Sequence, residues 1–105
     1  VTLHVPFTPE TRTMISAKEL SILPSGAIVI NAARGEVLDV NAALDALKRD
    51  ALGGLAIDVY DPEPPTRTWP DDPRLILTPH VAGCTAEAKS AIGAKLYEKI
   101  VAFYG

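Results

Sequence analysis

The chain has 105 residues, 48% hydrophobic and 22% charged, and ten Lys and Arg against 13 Asp and Glu leave a net charge of −3. That is the composition of one small globular domain; it excludes a disordered tail, a collagen-like repeat and a low-complexity segment, and it offers no basic cluster for nucleic acid. No apolar run nears the ~18 residues that span a bilayer, no signal pattern opens the chain, and the lone Cys84 cannot form an internal disulfide, so a soluble cytoplasmic protein is expected.

Val1 to Val5 is apolar and predicts a short buried strand ended by Pro6. It opens without Met or a cap, and Ile100-Val101-Ala102-Phe103-Tyr104 runs almost to the last residue, which reads as a segment of a longer chain. Thr8-Pro9-Glu10 fits a short helical turn with proline just inside its start. Ser16 and Glu19 have the spacing of a capping box, followed by Leu20 and Leu23, and Pro24-Ser25-Gly26 stops that helix. Ala27 to Asn31 is a continuous apolar run of strand length.

Asp39 or Asn41 can cap the next helix, whose apolar positions Val40, Ala43, Leu44, Leu47 and Ala51 recur at helical spacing. Gly53-Gly54 is expected to end it, with Leu55 to Val59 as the third strand and Asp58 inside its end. Residues 60–73 hold five prolines and no periodicity, the mark of a long stiffened loop. Leu75-Ile76-Leu77 is a fourth strand, broken by Pro79. From Thr85 a helix runs to about Phe103, with Ala88, Ile92, Leu96, Ile100 and Phe103 on one stripe. The order is α/β, a parallel sheet with flanking helices and strands expected to be buried on both faces.

In such a sheet, ligands bind beyond the carboxyl ends of the strands, and the unusual polar residues fall there. His4 to Thr8 follows the first strand, Asn31 to Gly35 the second, Asp58 to Pro64 the third, and Thr78 to Gly83 the fourth. An Arg, an Asp, a Glu and a His on one edge suffice to clamp a carboxylate, orient an amide and shuttle a proton. Each also has a structural alternative. Arg34 can sit in a solvated turn, Asp58 can cap backbone donors, Glu63 can be plain surface, and His80 and His4 can serve packing or backbone contacts. Cys84 reads as a small buried filler. No spacing suggests a metal site.

The set as a whole resembles a known family. Leu3-His4-Val5-Pro6 with Thr8-Pro9-Glu10-Thr11, Gly26 to Gly35, Ile57-Asp58-Val59-Tyr60 with Pro62-Glu63-Pro64, and Leu77 to Gly83 resemble the D-isomer-specific 2-hydroxyacid dehydrogenases, in order and at family spacing. The resemblance covers essentially the whole chain and implies a partial Rossmann-type cofactor domain. It implies an NAD- or NADP-dependent oxidoreductase that interconverts a D-2-hydroxy acid and its 2-keto acid.

Residue by residue, the resemblance implies that Arg34 pairs with the substrate carboxylate and polarises the keto oxygen, a task suited to a planar bidentate fork. His80 is implied as general acid and base, and Glu63 as the carboxylate that fixes its tautomer. Asp58 is implied to hold the nicotinamide carboxamide, with His4, Pro6, Thr8, Ala32, Ala33, Arg34, His80 and Gly83 lining the cofactor. The family's glycine-rich phosphate turn is absent from these 105 residues, as is its substrate domain. Residues 1–105 therefore read as the C-terminal portion of a dinucleotide-binding domain, inactive alone, which pairs with itself or with the rest of the enzyme. A non-catalytic remnant or interaction module that keeps the fold is the competing reading. A receiver-like or flavodoxin-like domain would need an acidic cluster or phosphate loop near its first strand, and Val1 to Thr11 has neither.

Overall fold

The computed structural model describes all 105 residues and places four parallel strands side by side in chain order. They are β1 (Thr2–Leu3), β2 (Ala27–Asn31), β3 (Leu52–Ile57) and β4 (Leu75–Leu77); the helices are α1 (Ala17–Ser21), α2 (Val40–Lys48) and α3 (Ala86–Tyr104). Each helix starts at a side-chain oxygen, which satisfies backbone donors that the first turn leaves free. The Glu19 carboxylate accepts from the Ser16 N–H and hydroxyl at 3.0 and 2.6 Å, Asp39 accepts from the Ala42 N–H at 3.0 Å, and Thr85 accepts from the Ala88 N–H at 3.0 Å. Of the two cap candidates for α2, Asp39 is the one used.

Residues paired across a parallel ladder share a face, so the register Leu3↔Asn31, Val29↔Leu55, Asn31↔Ile57 assigns one face to the core. Leu3, Val29, Leu55 and Ile57 pack there against Ala43, Ala46 and Leu47 of α2, with Leu20 of α1 behind. Full burial of each such aliphatic side chain contributes roughly 1.5–3 kcal/mol. The apolar runs of the strands predict burial on both faces, but the strands are buried on one face only. Ile28, Ile30 and Ile76 on the opposite face are 55%, 40% and 60% exposed, because no helix of this chain lies over them. α3 likewise buries none of its residues, and no helix is long and apolar enough to cross a membrane.

Other departures have local causes. β1 is two residues rather than five; only Leu3 is buried, and the chain leaves the ladder before Pro6. Thr8-Pro9-Glu10 opens a single helical turn that does not extend into a helix: the Thr11 and Arg12 N–H groups, three and four residues on, both donate to the Thr8 carbonyl. α2 stops at Lys48, short of Ala51. The two glycines do not end it but lie inside β3, which begins at Leu52. The register slips between Ala27 and Ile28, leaving Gly53 as the extra residue of a bulge, where a Cβ would collide with the Gly26 backbone. Asp58 and Val59 lie just past the end of β3. Arg74 anchors the start of β4 through Asp72 at 2.8 Å and Asp50 at 2.7 Å.

Candidate active site

All four strands point the same way, so the residues that follow them emerge on one edge of the sheet. Arg34 sits in a turn shaped by Asn31, whose side chain is fully buried. Asn31 Oδ1 accepts from the Ala33 N–H at 3.1 Å and its Nδ2 donates to the Arg34 carbonyl at 3.0 Å, an Asx-type clasp. The Arg34 side chain is exposed; its Nη1 donates to the Ala33 carbonyl at 2.6 Å and no carboxylate of the chain pairs with it. Gly35 follows because the turn presses on the next loop: a Cβ there would overlap the backbone of Tyr60 and Asp61. Gly35→Ala should therefore destabilise the fold by about 1–3 kcal/mol, the usual penalty of overpacking, read from the midpoint of urea unfolding. An unchanged midpoint would mean that the two loops are not in contact.

The Glu63 loop and the His80 turn meet directly. His80 Nδ1 lies 2.8 Å from Glu63 Oε1, with the two side chains 44% and 41% exposed. A carboxylate only accepts, so Nδ1 carries the proton and Nε2 is left for a partner outside the chain. His80 also has φ 55°, a left-handed backbone that a ring-bearing residue keeps only where its surroundings impose it.

Asp58 is buried beneath this turn. Its Oδ1 accepts from the Thr78 hydroxyl at 2.6 Å and the Val81 N–H at 2.9 Å, and its Oδ2 from the Ala82 N–H at 2.9 Å. Asp58 does cap backbone donors, but they lie 23 and 24 residues along the chain and are not local ones. Burial pushes its carboxyl up, but the three hydrogen bonds, aided by the His80 charge, outweigh it and hold the group below its ordinary value. A depressed folded value stabilises the protein above the unfolded one and ceases to as the group protonates. Stability should accordingly fall as pH drops below about 4, and Asp58→Asn should flatten that slope in urea titrations at several pH values. An equally steep acid slope in the variant would show that Asp58 does not carry it.

The remaining expected site residues occupy the same edge. His4 is exposed at the end of β1, its Nε2 2.7 Å from the Thr2 hydroxyl. The Thr8 N–H donates to the Thr11 hydroxyl oxygen at 2.8 Å, and that hydroxyl donates to the Pro6 carbonyl at 2.8 Å, fixing the first loop. Ala33 is buried, Ala32 half-buried, and open space surrounds Gly83. Cys84 is exposed rather than buried, because α3 turns away from the sheet. No three His, Cys, Asp or Glu side chains are grouped to hold a metal ion. A cleft of about 320 Å³ flanks Glu63, walled by Tyr60, Leu77 and Pro79.

Sequence reading missed Asn31, Tyr60 and Thr78. The Tyr60 hydroxyl donates to the Thr78 carbonyl at 2.7 Å and its ring stands edge-on to Trp69 at 5.7 Å. Burial, with the charges of Asp58 and Glu63, pushes its phenol up, so it stays a donor. An Asn at a strand end, two residues before a small-residue turn, is a signal that could have found Asn31.

Parallel strands with polar turns collected on their carboxyl edge define a Rossmann-type α/β domain. Residues 1–82 match the NAD-binding domain of the D-isomer specific 2-hydroxyacid dehydrogenases, and the chain belongs to that family. It is 41% identical over 109 residues to D-3-phosphoglycerate dehydrogenase of Escherichia coli (strain K12), covering 98% of this chain and 27% of that protein. Glycerate dehydrogenase of Methylorubrum extorquens is 43% identical over 107 residues, with 98% and 34% covered. Among solved structures, a D-isomer specific 2-hydroxyacid dehydrogenase from Xanthobacter autotrophicus Py2 in complex with NADPH and MES superposes with a TM-score of 0.74 at 33% identity, over 94% of this chain and 43% of that one. D-lactate dehydrogenase from Aquifex aeolicus, complexed with NAD and lactic acid, gives 0.71 at 28% identity, over 97% and 36%. The chain spans about a quarter to a third of the length of these curated relatives.

Proposed function

We propose that residues 1–105 are the C-terminal portion of a dinucleotide-binding domain, and that the whole protein interconverts a D-2-hydroxy acid and its 2-keto acid with NAD(P). The observation that carries this is the Glu63–His80 pair at 2.8 Å, with Nε2 unpartnered on the edge that also bears Arg34. The donor set suits the nicotinamide end of the cofactor: Pro6, Thr8, Ala32, Ala33 and Gly83 offer small side chains and backbone groups, and Asp58 Oδ2, which takes one hydrogen bond here, can accept a second. Bound there, the nicotinamide supplies the hydride acceptor or donor.

The chain's own groups do the rest. In reduction, His80 acts as the doubly protonated imidazolium and gives its Nε2 proton to the oxygen on substrate C2, which leaves the neutral Nδ1–H form; in oxidation, the bare Nε2 of that neutral form takes the proton back. Glu63 keeps the proton on Nδ1, so that Nε2 is the atom that exchanges. Arg34 leaves the Ala33 carbonyl to pair with the substrate carboxylate, and its remaining donors stabilise charge growing on the keto oxygen. The 105 residues alone are expected to be inactive, since they lack the glycine-rich turn that grips a pyrophosphate.

The test is oxidation of NADH and NADPH by the full-length protein with a series of 2-keto acids, followed by chiral analysis of the product. Turnover to the D-hydroxy acid is expected. Tight cofactor binding without turnover on any 2-keto acid would favour a binding module that keeps the fold.

The isolated chain is expected to self-associate. It exposes Ile28, Ile30 and Ile76 on one sheet face, the free edge of β1, and Ile92, Leu96, Ile100 and Phe103 along α3. Light scattering at micromolar concentration checks this, and a clean 11.2 kDa monomer would refute it.

A further inference from the structure

Thr78 uses every polar atom that it has. Its N–H donates to the Ile57 carbonyl at 3.0 Å, continuing the ladder between β3 and β4. Its carbonyl accepts from the Tyr60 hydroxyl at 2.7 Å and from the His80 N–H at 3.1 Å. Its hydroxyl donates to Asp58 Oδ1 at 2.6 Å, and the same carboxylate holds the Val81 and Ala82 N–H groups. His80 therefore lies between two clamped points: Thr78 on one side, and Val81 and Ala82 on the other. A strained φ of 55° persists when the backbone on both sides is held in this way.

We propose that Thr78 is a positioning residue: by bonding Asp58 and Tyr60 together, it sets the His80 turn so that the imidazole meets Glu63. The proposal rests on the reading of His80 as proton carrier, but its geometric content stands apart from turnover. A hydroxyl is required at this position because Asp58 is ionised and needs a donor there. Thr78→Val keeps the shape and β-branching but removes that donor. Asp58 then rests only on the two N–H groups after His80, and the turn is held from one side.

In the full-length protein the ring ¹⁵N shifts of His80 are assigned as those lost in a His80→Gln variant, and His4, the other histidine of residues 1–105, serves as an internal reference. Above neutral pH these shifts report which nitrogen carries the proton. Wild type should show mainly the Nδ1–H form of His80, the form that Glu63 selects, and Glu63→Ala should lose it. Thr78→Val is expected to approach the Glu63→Ala ratio, and Thr78→Ser, which keeps the hydroxyl, to retain the wild-type one. In an active full-length enzyme Thr78→Val should lower kcat about 10- to 100-fold, as for a displaced reacting group, with the KM for the keto acid little changed.

A wild-type tautomer ratio in folded Thr78→Val overturns the proposal, and so does loss of that ratio in Thr78→Ser. If Thr78→Val does not fold, Tyr60→Phe decides: a partial loss of the Nδ1–H form supports the proposal, and a wild-type ratio defeats it. Should the full-length protein never turn over, the dehydrogenase reading fails, while the tautomer ratios still decide whether Thr78 sets the turn.

Discussion

His80→Ala should lower kcat about 10²- to 10⁴-fold in a full-length dehydrogenase that carries these residues, the range for a lost general acid–base. The KM for the keto acid should move much less, because Nε2 acts on a proton in flight and adds little to ground-state binding. The geometry makes this the sharpest expectation. Nδ1 is occupied by Glu63 at 2.8 Å, the left-handed backbone at residue 80 fixes the ring's direction, and the other histidine, His4, already contacts Thr2 at the end of β1. Among these 105 residues no neighbour is poised to substitute. Steady-state kinetics with the variant at the wild-type rate would remove His80 from the chemistry.

Arg34→Ala should damage both constants, with kcat down about 10²- to 10³-fold, the scale for losing one donor to a developing oxyanion, and KM raised as well. The split follows from what the guanidinium would face. The substrate carboxylate is charged before and during the reaction, so losing its partner weakens binding throughout. The charge on the keto oxygen appears only as hydride moves, so losing that donor weakens the transition state alone. Arg34→Lys should recover little, since a point charge cannot make two parallel bonds from one turn. A variant altered in KM only would mean that Arg34 binds the carboxylate and does not touch the reacting oxygen.

Much of this was legible in residue order. The capping pair Ser16 and Glu19, the apolar spacing of α2, the runs that become β2 and β4, and the Thr85 start of α3 are set by interactions within a few residues, which a sequence displays directly. The edge on which Arg34, Asp58, Glu63 and His80 gather was also readable, because parallel strands joined by crossovers must bring their carboxyl ends together. Strand ends were misjudged where partners decide them. Gly53 fits into β3 because the Gly26 backbone ahead of β2 passes close enough to exclude a Cβ, and β1 shortens because the chain leaves the ladder after Leu3, before Pro6. Which face would be covered was equally hidden, since alternating isoleucines look the same whether or not a helix lies over them.

The sequence by itself determined which chemical groups this edge carries and in what order. Tertiary structure alone decided how they are held: Asn31 clasping the Arg34 turn, Tyr60 reaching across 18 residues to Thr78, and Asp58 drawing in donors 20 to 24 residues away. Such bonds join residues far apart in the chain, and no local pattern announces them. They form because a buried carboxylate or amide must find partners, and folding determines which ones lie within reach.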